Sequence, residues 1–147
     1  MIFYGNASGR ITLRIERDVL WLTLEEDPRG ADIVQSFRDA ISDGLLKAGL
    51  PTVIDMPGFN GNIDWQAIRL VREMVAEALP PPAGETSRLP APPALCRVAY
   101  VTRDMLFAPV LRILRDLFPQ CRHRQFRDPE TALLWVCQRD PVALDED

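Results

Sequence analysis

The chain has 147 residues, of which 47% are hydrophobic and 26% are charged, so it is not a disordered chain and suits one domain around a single core. Its net charge of −4 excludes bulk electrostatic attraction to nucleic acid or to an anionic membrane. The charge is uneven, because residues 95–127 hold seven arginines and two acids. This segment is either a solvated arginine-rich face or a patch for an anion or an acidic partner.

Two alternating runs open the predicted fold. Residues 10–16 and 19–25 both alternate between apolar and other positions, with a short polar turn at Arg17-Asp18 between them. This pattern predicts a β-hairpin.

An amphipathic helix is predicted next. Asp27-Pro28 suits an N-cap followed by the first helical residue, and Gly49 suits the end of the helix near Leu50. The positions expected to face the core recur every four residues: Ile33, Phe37, Ile41 and Leu45.

A short buried strand over 51–56 leads through a polar loop to a second helix, for which Asp64 is the predicted N-cap. This helix spans about 15 residues. Residues 80–93 then contain six prolines, so they predict an exposed loop with polyproline II character. We interpret this loop as a tolerated insertion; the alternative is a ligand for a proline-recognising domain.

The second half repeats the alternation of strands and helices. A strand is predicted over 95–102, then a helix that is capped by Asp104 and runs to Phe118, and then a polar edge strand over 122–127. A last helix begins at Asp128-Pro129-Glu130, and residues 141–147 form a frayed acidic tail. The order predicts an α/β protein, one domain over residues 1–147, with a mostly parallel sheet and one antiparallel hairpin.

The loop after the 51–56 strand is the first candidate site. A polar loop between a buried strand and a helix start is the usual place for a ligand in an α/β sheet. Residues 53–67 nevertheless contain no Ser, Thr, Cys, His, Lys or Arg, so the loop offers no nucleophile and no base that titrates near neutrality. Its candidate binding residues are Asp55, Phe59, Asn60, Asp64 and Trp65.

Two interpretations of the carboxylates in that loop stay open. Asp55 and Asp64 could form a paired-carboxylate site, or hold a hard cation with help from Asn60 and Asn62. The simpler interpretation is that Asp64 caps a helix and Asp55 bonds turn amides.

The spacing of the three cysteines predicts no disulfide framework and no metal site. Cys96, Cys121 and Cys137 form neither a disulfide framework nor a zinc pattern, and His123 beside Cys121 is expected at the surface. No metal and no cofactor is therefore expected. The N-terminus lacks a signal-peptide pattern and no apolar stretch approaches 18 residues, so we expect a cytoplasmic protein without a membrane span.

Four stretches of the chain resemble the STAS superfamily, specifically its SpoIIAA-like branch of small bacterial proteins. They are the opening alternating strands, Thr-Val-Ile-Asp-Met-Pro-Gly-Phe at 52–59, Arg-Val-Ala-Tyr-Val-Thr-Arg-Asp at 97–104 and Phe-Arg-Asp-Pro-Glu-Thr-Ala-Leu-Leu-Trp-Val at 126–136. The resemblance implies a four- to five-stranded sheet with about four helices, and non-enzymatic work. Members bind switch kinases and other regulators, and this branch is similar to lipid-carrying SEC14-type domains.

The chain departs from that family in two places. Regulatory members carry a phosphorylated Ser or Thr at the helix start that follows the Asp-containing strand, whereas this chain reads Ile63-Asp64-Trp65-Gln66-Ala67 there. The family also joins its second major helix tightly to the next strand, whereas here residues 80–93 intervene.

The prediction is a non-enzymatic interaction module that binds a protein partner or a second copy of itself. The 104–118 helix is predicted to carry the contact, with Phe107, Leu111 and Phe118 as a solvent-facing stripe and Arg112 and Arg115 at its rim. The stripe expected to face the sheet is Leu106, Val110, Ile113, Leu114 and Leu117. The alternative function is a carrier or sensor of a small lipophilic ligand between sheet and helices.

Overall fold

Six strands form one sheet in which each strand lies beside its neighbours in the sequence. The computed structural model describes residues 2–5, 11–25, 29–46, 49–57, 63–78, 96–105, 107–119 and 121–138. The strands are β1 (Ile2–Gly5), β2 (Ile11–Glu16), β3 (Val19–Leu24), β4 (Thr52–Asp55), β5 (Cys96–Val101) and β6 (Cys121–Phe126). The helices are α1 (Gly30–Ser42), α2 (Trp65–Ala78), α3 (Phe107–Leu117) and α4 (Pro129–Cys137).

The sheet is antiparallel at its start and parallel afterwards. β1, β2 and β3 pair antiparallel, and β3 to β6 pair parallel. Arg17 and Asp18 form the two-residue turn of the β2–β3 hairpin. Their φ angles are 55° and 63°, because a two-residue turn needs positive φ angles to match the right-handed twist of the two strands. The predicted α/β architecture with an N-terminal hairpin is confirmed. The sheet has six strands instead of the expected four to five, because β1 adds a strand beside β2.

The helices cover the two faces of the sheet unequally. α1 and α2 pack over β2 and β3, and α3 packs beside them over Ile54 and Tyr100. α4 packs on the opposite face, over Val53 and Ala99. Right-handed crossovers between successive parallel strands place α1, α2 and α3 on one face, and α4 reaches the other because it follows the last strand.

α1 ends earlier than its periodicity predicts. Gly44 has a φ of 72°, its amide bonds the Ile41 carbonyl, and the amide of Leu45 bonds the Ala40 carbonyl at 3.1 Å. This is a Schellman motif, in which a glycine in the left-handed region stops the helix. The prediction that the helix continues to Gly49 is wrong, and Leu45 lies after the helix.

The other helix starts follow short polar signals. The amide of Ala67 donates to Asp64 Oδ1 at 3.1 Å, so the predicted N-cap of α2 is confirmed. The amide of Thr131 donates to Asp128 Oδ2 at 2.9 Å, so Asp128 is the N-cap of α4 and the predicted start of this helix is confirmed. α3 begins at Phe107, three residues after Asp104, so the prediction that Asp104 is the cap of this helix is wrong; the backbone carbonyl of Asp104 accepts the amide of Phe107.

Three expectations fall outside the described residues: the Asp27-Pro28 helix start, the proline-rich loop at 80–93 and the frayed tail at 141–147. Within the described ranges, no helix combines the length and the apolar character needed to cross a membrane.

Candidate functional site

Asp55 and Asp64 lie at the two ends of the candidate loop. Asp55 is the last residue of β4 and is half-buried between Thr23 of β3 and Val101 of β5. Burial raises the pKa of Asp55, the nearby Glu25 raises it further, and Arg14 opposes both effects. Asp55 therefore sits where a negative charge is disfavoured.

The side chain of Asp64 has a structural role at the start of α2. Its carboxylate caps α2, and Gly30 at the start of α1 lies against the same carboxylate. A Cβ on Gly30 would overlap the Asp64 side chain and stand 2.8 Å from the Cβ of Ala67, so only glycine fits at this crossing of α1 and α2. Phe59 and Asn60 lie outside the described residues. Among the residues that the structure covers, no three His, Cys, Asp or Glu side chains form a group that could hold a metal ion.

The structure places the aromatic stripe of α3 against the sheet. Phe107 is fully buried, while Leu111 and Phe118 are half-buried in the same cluster around Tyr100. The prediction that Phe107 faces solvent is therefore wrong, whereas Leu111 and Phe118 keep part of their surface exposed. Ile113, expected to face the sheet, is 44% exposed, although Leu114 of the same stripe is buried. Both stripes of α3 are apolar, so periodicity alone could not predict which of them faces the sheet. The stripe with Phe107 does so because its ring packs against the ring of Tyr100, with 5.4 Å between the centroids.

Trp65 connects the candidate loop with α3. It is the first residue of α2, is half-buried, and packs in the cluster that contains Phe107 and Leu111. The end of the candidate loop therefore lies beside α3. Arg112 and Arg115 are exposed on α3, and Arg115 reaches the carbonyl of His123 at 3.4 Å.

His123 is buried rather than at the surface, which corrects the expectation. Its Nε2 lies 2.9 Å from the carbonyl of Phe118, which can only accept, so Nε2 carries the proton. Nδ1 then accepts the hydroxyl of Tyr100 at 2.8 Å. Burial lowers the pKa of His123 and raises that of Tyr100, so both groups are neutral. Sequence reasoning missed this pair because the two residues lie on neighbouring strands, 23 positions apart.

Cys121 contradicts the expectation that the cysteines form no disulfide, because its sulfur is disulfide-bonded. Cys96 lies opposite it in the register of β5 and β6, and Cys137 is free and exposed. Residues far apart in sequence become neighbours across parallel strands, which spacing alone does not reveal.

Several arginines of the 95–127 segment serve the fold. Arg97 is buried; it donates to the Trp135 carbonyl at 2.8 Å and to the Gln138 amide oxygen at 3.1 Å. It therefore holds the end of α4. Arg124 lies over the ring of Phe126 at 5.3 Å. The segment is thus neither wholly a solvated face nor wholly a binding patch.

Comparison with known proteins identifies the fold. No protein-family model matches the chain, and no curated protein matches its sequence. A crystal structure of an uncharacterised DUF3478-family protein from Shewanella loihica PV-4, described as having a SpoIIAA-like fold, matches with a TM-score of 0.51. The alignment covers 86% of this chain and 92% of that chain at 15% identity. The chain has a SpoIIAA-like fold. The predicted STAS-like, SpoIIAA-like resemblance is confirmed at the level of the fold, and the neighbour's bacterial source agrees with the type of protein expected.

Proposed function

We propose that this STAS-like protein is a non-enzymatic, cytoplasmic interaction module whose partner protein binds the outer face of α3. The observation that carries the proposal is the set of exposed residues at helical spacing on α3: Ala108, Pro109, Arg112, Ile113 and Asp116. Ile113 is 44% exposed, although Phe107 and Leu114 of the same helix are buried. An apolar centre with a charged rim is typical of a protein interface.

The chemistry of this face favours a weak, reversible contact. Burying one large aliphatic side chain stabilises a complex by about 1.5–3 kcal/mol, and ordering the interface removes part of that gain. Arg112 and Arg115 favour acidic groups on the partner. Such a contact suits a regulatory module that must bind and release.

The candidate loop extends the proposed surface. Trp65 packs in the α3 cluster, so a partner seated on α3 lies within reach of the residues before α2. We include Asp55, Phe59, Asn60 and Asp64 in this second part of the contact. Because residues 53–67 contain no Ser or Thr, we propose that binding is not switched by phosphorylation of this loop.

The test compares two exposed apolar residues on opposite sides of the sheet. Ile113→Glu on α3 should abolish retention of the partner, whereas Leu134→Glu on α4, where Leu134 is 69% exposed, should leave it unchanged. Both variants should keep the wild-type circular dichroism, since neither side chain is buried. The measurement is quantitative cross-linking followed by sedimentation of the complex. Equal retention by both variants contradicts the proposal, and a concentration-dependent dimer lost only in Ile113→Glu identifies a second copy of the chain as the partner.

A second candidate function rests on Trp65, Leu111 and Phe118. These three side chains are only half-buried between α2, α3 and the sheet, so they present apolar surface to a neighbouring molecule. A small lipophilic ligand held there is the alternative function. Native mass spectrometry of freshly purified protein separates the two, because a carrier retains a lipid-sized mass.

A further inference from the structure

A groove opens where β5 and β6 end. Its volume is about 450 Å³. Its lining consists of Arg103, Asp104, Met105, Gln125, Phe126 and Arg127. The carboxyl ends of parallel strands are the usual place for small ligands in α/β sheets, and the volume lies within the range of small-molecule sites.

Hydrogen bonds hold the loop that forms one wall of this groove. The side-chain amide of Gln125 donates to the carbonyls of Thr102 at 3.0 Å and of Asp104 at 3.2 Å. The hydroxyl of buried Thr102 accepts a hydrogen bond from the amide of Asp104 at 3.1 Å. The backbone amide of Thr102 donates to the carbonyl of Phe126 at 3.0 Å. A wall fixed by four hydrogen bonds keeps its shape without a ligand, which lowers the ordering cost of binding.

The two arginines of the groove are available for a ligand. Arg103 and Arg127 are exposed, and neither makes a hydrogen bond or an ion pair with another described residue. Arg103 lies near enough to Asp128 to contribute to the lowered pKa of that carboxyl, but the carboxylate of Asp128 already accepts from the amide and hydroxyl of Thr131. Two guanidinium groups and one carboxylate, that of Asp104, leave the lining with a net positive charge.

The apolar part of the lining limits the ligand further. Met105 is 84% exposed at the groove, and the ring of Phe126 contacts both the ring of Trp135, 5.5 Å away, and the guanidinium of Arg124. An exposed methionine beside a fixed aromatic ring offers contact to a compact apolar group. Two guanidinium groups beside this apolar surface suit a ligand in which an oxyanion is attached to an apolar group.

We propose that this groove binds a phosphate monoester attached to a compact apolar group. Arg103 and Arg127 hold the phosphate, and Met105 and Phe126 contact the apolar group. Gln125 acts as a positioning residue, because it fixes the backbone of the Arg103 loop. The proposal does not rest on the partner surface of α3.

Isothermal titration with phenyl phosphate tests this assignment on the full chain. We expect saturable binding that weakens about tenfold or more in Arg103→Gln and in Arg127→Gln, because each loses a charge-assisted hydrogen bond. Arg38→Gln is the matched control, since Arg38 is also exposed but lies on α1, outside both the groove and the proposed partner surface. Circular dichroism should be unchanged in all three variants. Inorganic phosphate should bind more weakly than phenyl phosphate, and phenol should not bind.

Three results would overturn the proposal. The first is no saturable heat with phenyl phosphate, and the second is an equal loss of affinity in Arg38→Gln, which would indicate diffuse charge attraction. The third is equal affinity for inorganic and phenyl phosphate, which would remove the role of Met105 and Phe126. None of these results bears on the Ile113→Glu experiment, so the two proposals fail separately.

Discussion

The two halves of the sheet are built from different chemistry. The half formed by β2, β3, α1 and α2 has a mostly aliphatic core in which Phe37 is the single ring among its buried residues. The half formed by β5, β6 and α3 combines rings with polar groups, and it contains Arg97, Thr102 and His123, three of the four buried polar side chains of the described residues. An aliphatic core tolerates many replacements, whereas a polar one requires every partner to be present. The half with the stricter requirements is also the half that carries the groove and the exposed face of α3.

The largest expected effect comes from removing one core side chain in each half. Phe107→Ala should lower the free energy of unfolding by about 3–5 kcal/mol and Leu13→Ala by about 2–5 kcal/mol, since both side chains are fully buried. Urea unfolding followed by circular dichroism measures both. A loss below about 1 kcal/mol for Phe107→Ala alone would show that α3 turns its aromatic stripe to solvent, as its sequence pattern first indicated.

The second effect concerns the buried hydrogen bonds of the polar half. Tyr100→Phe leaves Nδ1 of His123 without a donor inside the core, which should cost about 1–3 kcal/mol. Leu22→Ile in the aliphatic half is the contrasting change, expected to cost less than about 1.5 kcal/mol because the volume is kept. If the two substitutions cost the same small amount, the comparison between the halves fails.

A pH dependence follows from His123, which is the only histidine of the chain. Its pKa in the folded protein lies below the ordinary 6.5, so between these two values only the unfolded chain binds the proton. Stability should therefore be complete above about pH 6.5 and fall as the pH drops through that value. Urea unfolding at a series of pH values from neutral to mildly acidic measures the fall. His123→Leu should remove this part of the pH dependence, and its persistence in that variant would assign it to another group.

The smallest effect comes from removing the N-cap of α2, which lies in the aliphatic half. Asp64→Ala should cost about 1 kcal/mol, because the amide of Ala67 loses its acceptor, whereas Asp64→Asn should keep most of the stability. Thermal unfolding distinguishes these outcomes. A loss of partner binding in Asp64→Asn without any loss of stability would instead give the carboxylate a role in recognition.

Local sequence patterns predicted the order of the strands and helices from β2 onward and many of their boundaries. The hairpin at Arg17-Asp18 and the caps at Asp64 and Asp128 are signals spread over two to four residues, so they can be recognised in the sequence alone. The alternation of strands with helices then determined a mostly parallel sheet, because successive parallel strands need a crossover helix. The same local reasoning placed the end of α1 too late, because it passed over Gly44.

Tertiary structure alone decided which apolar stripe of α3 faces the sheet, whether His123 is buried, and that Cys121 is in a disulfide. Each outcome depends on a residue of a neighbouring element: Phe107 packs on Tyr100, and His123 bonds the hydroxyl of the same residue. The groove likewise exists because the loop after β5 meets the end of β6, which brings Arg103 and Arg127 together. A periodic pattern records how a segment repeats along its own axis, but the side that becomes buried is chosen by the surface it meets, and that surface is assembled only when the strands pair.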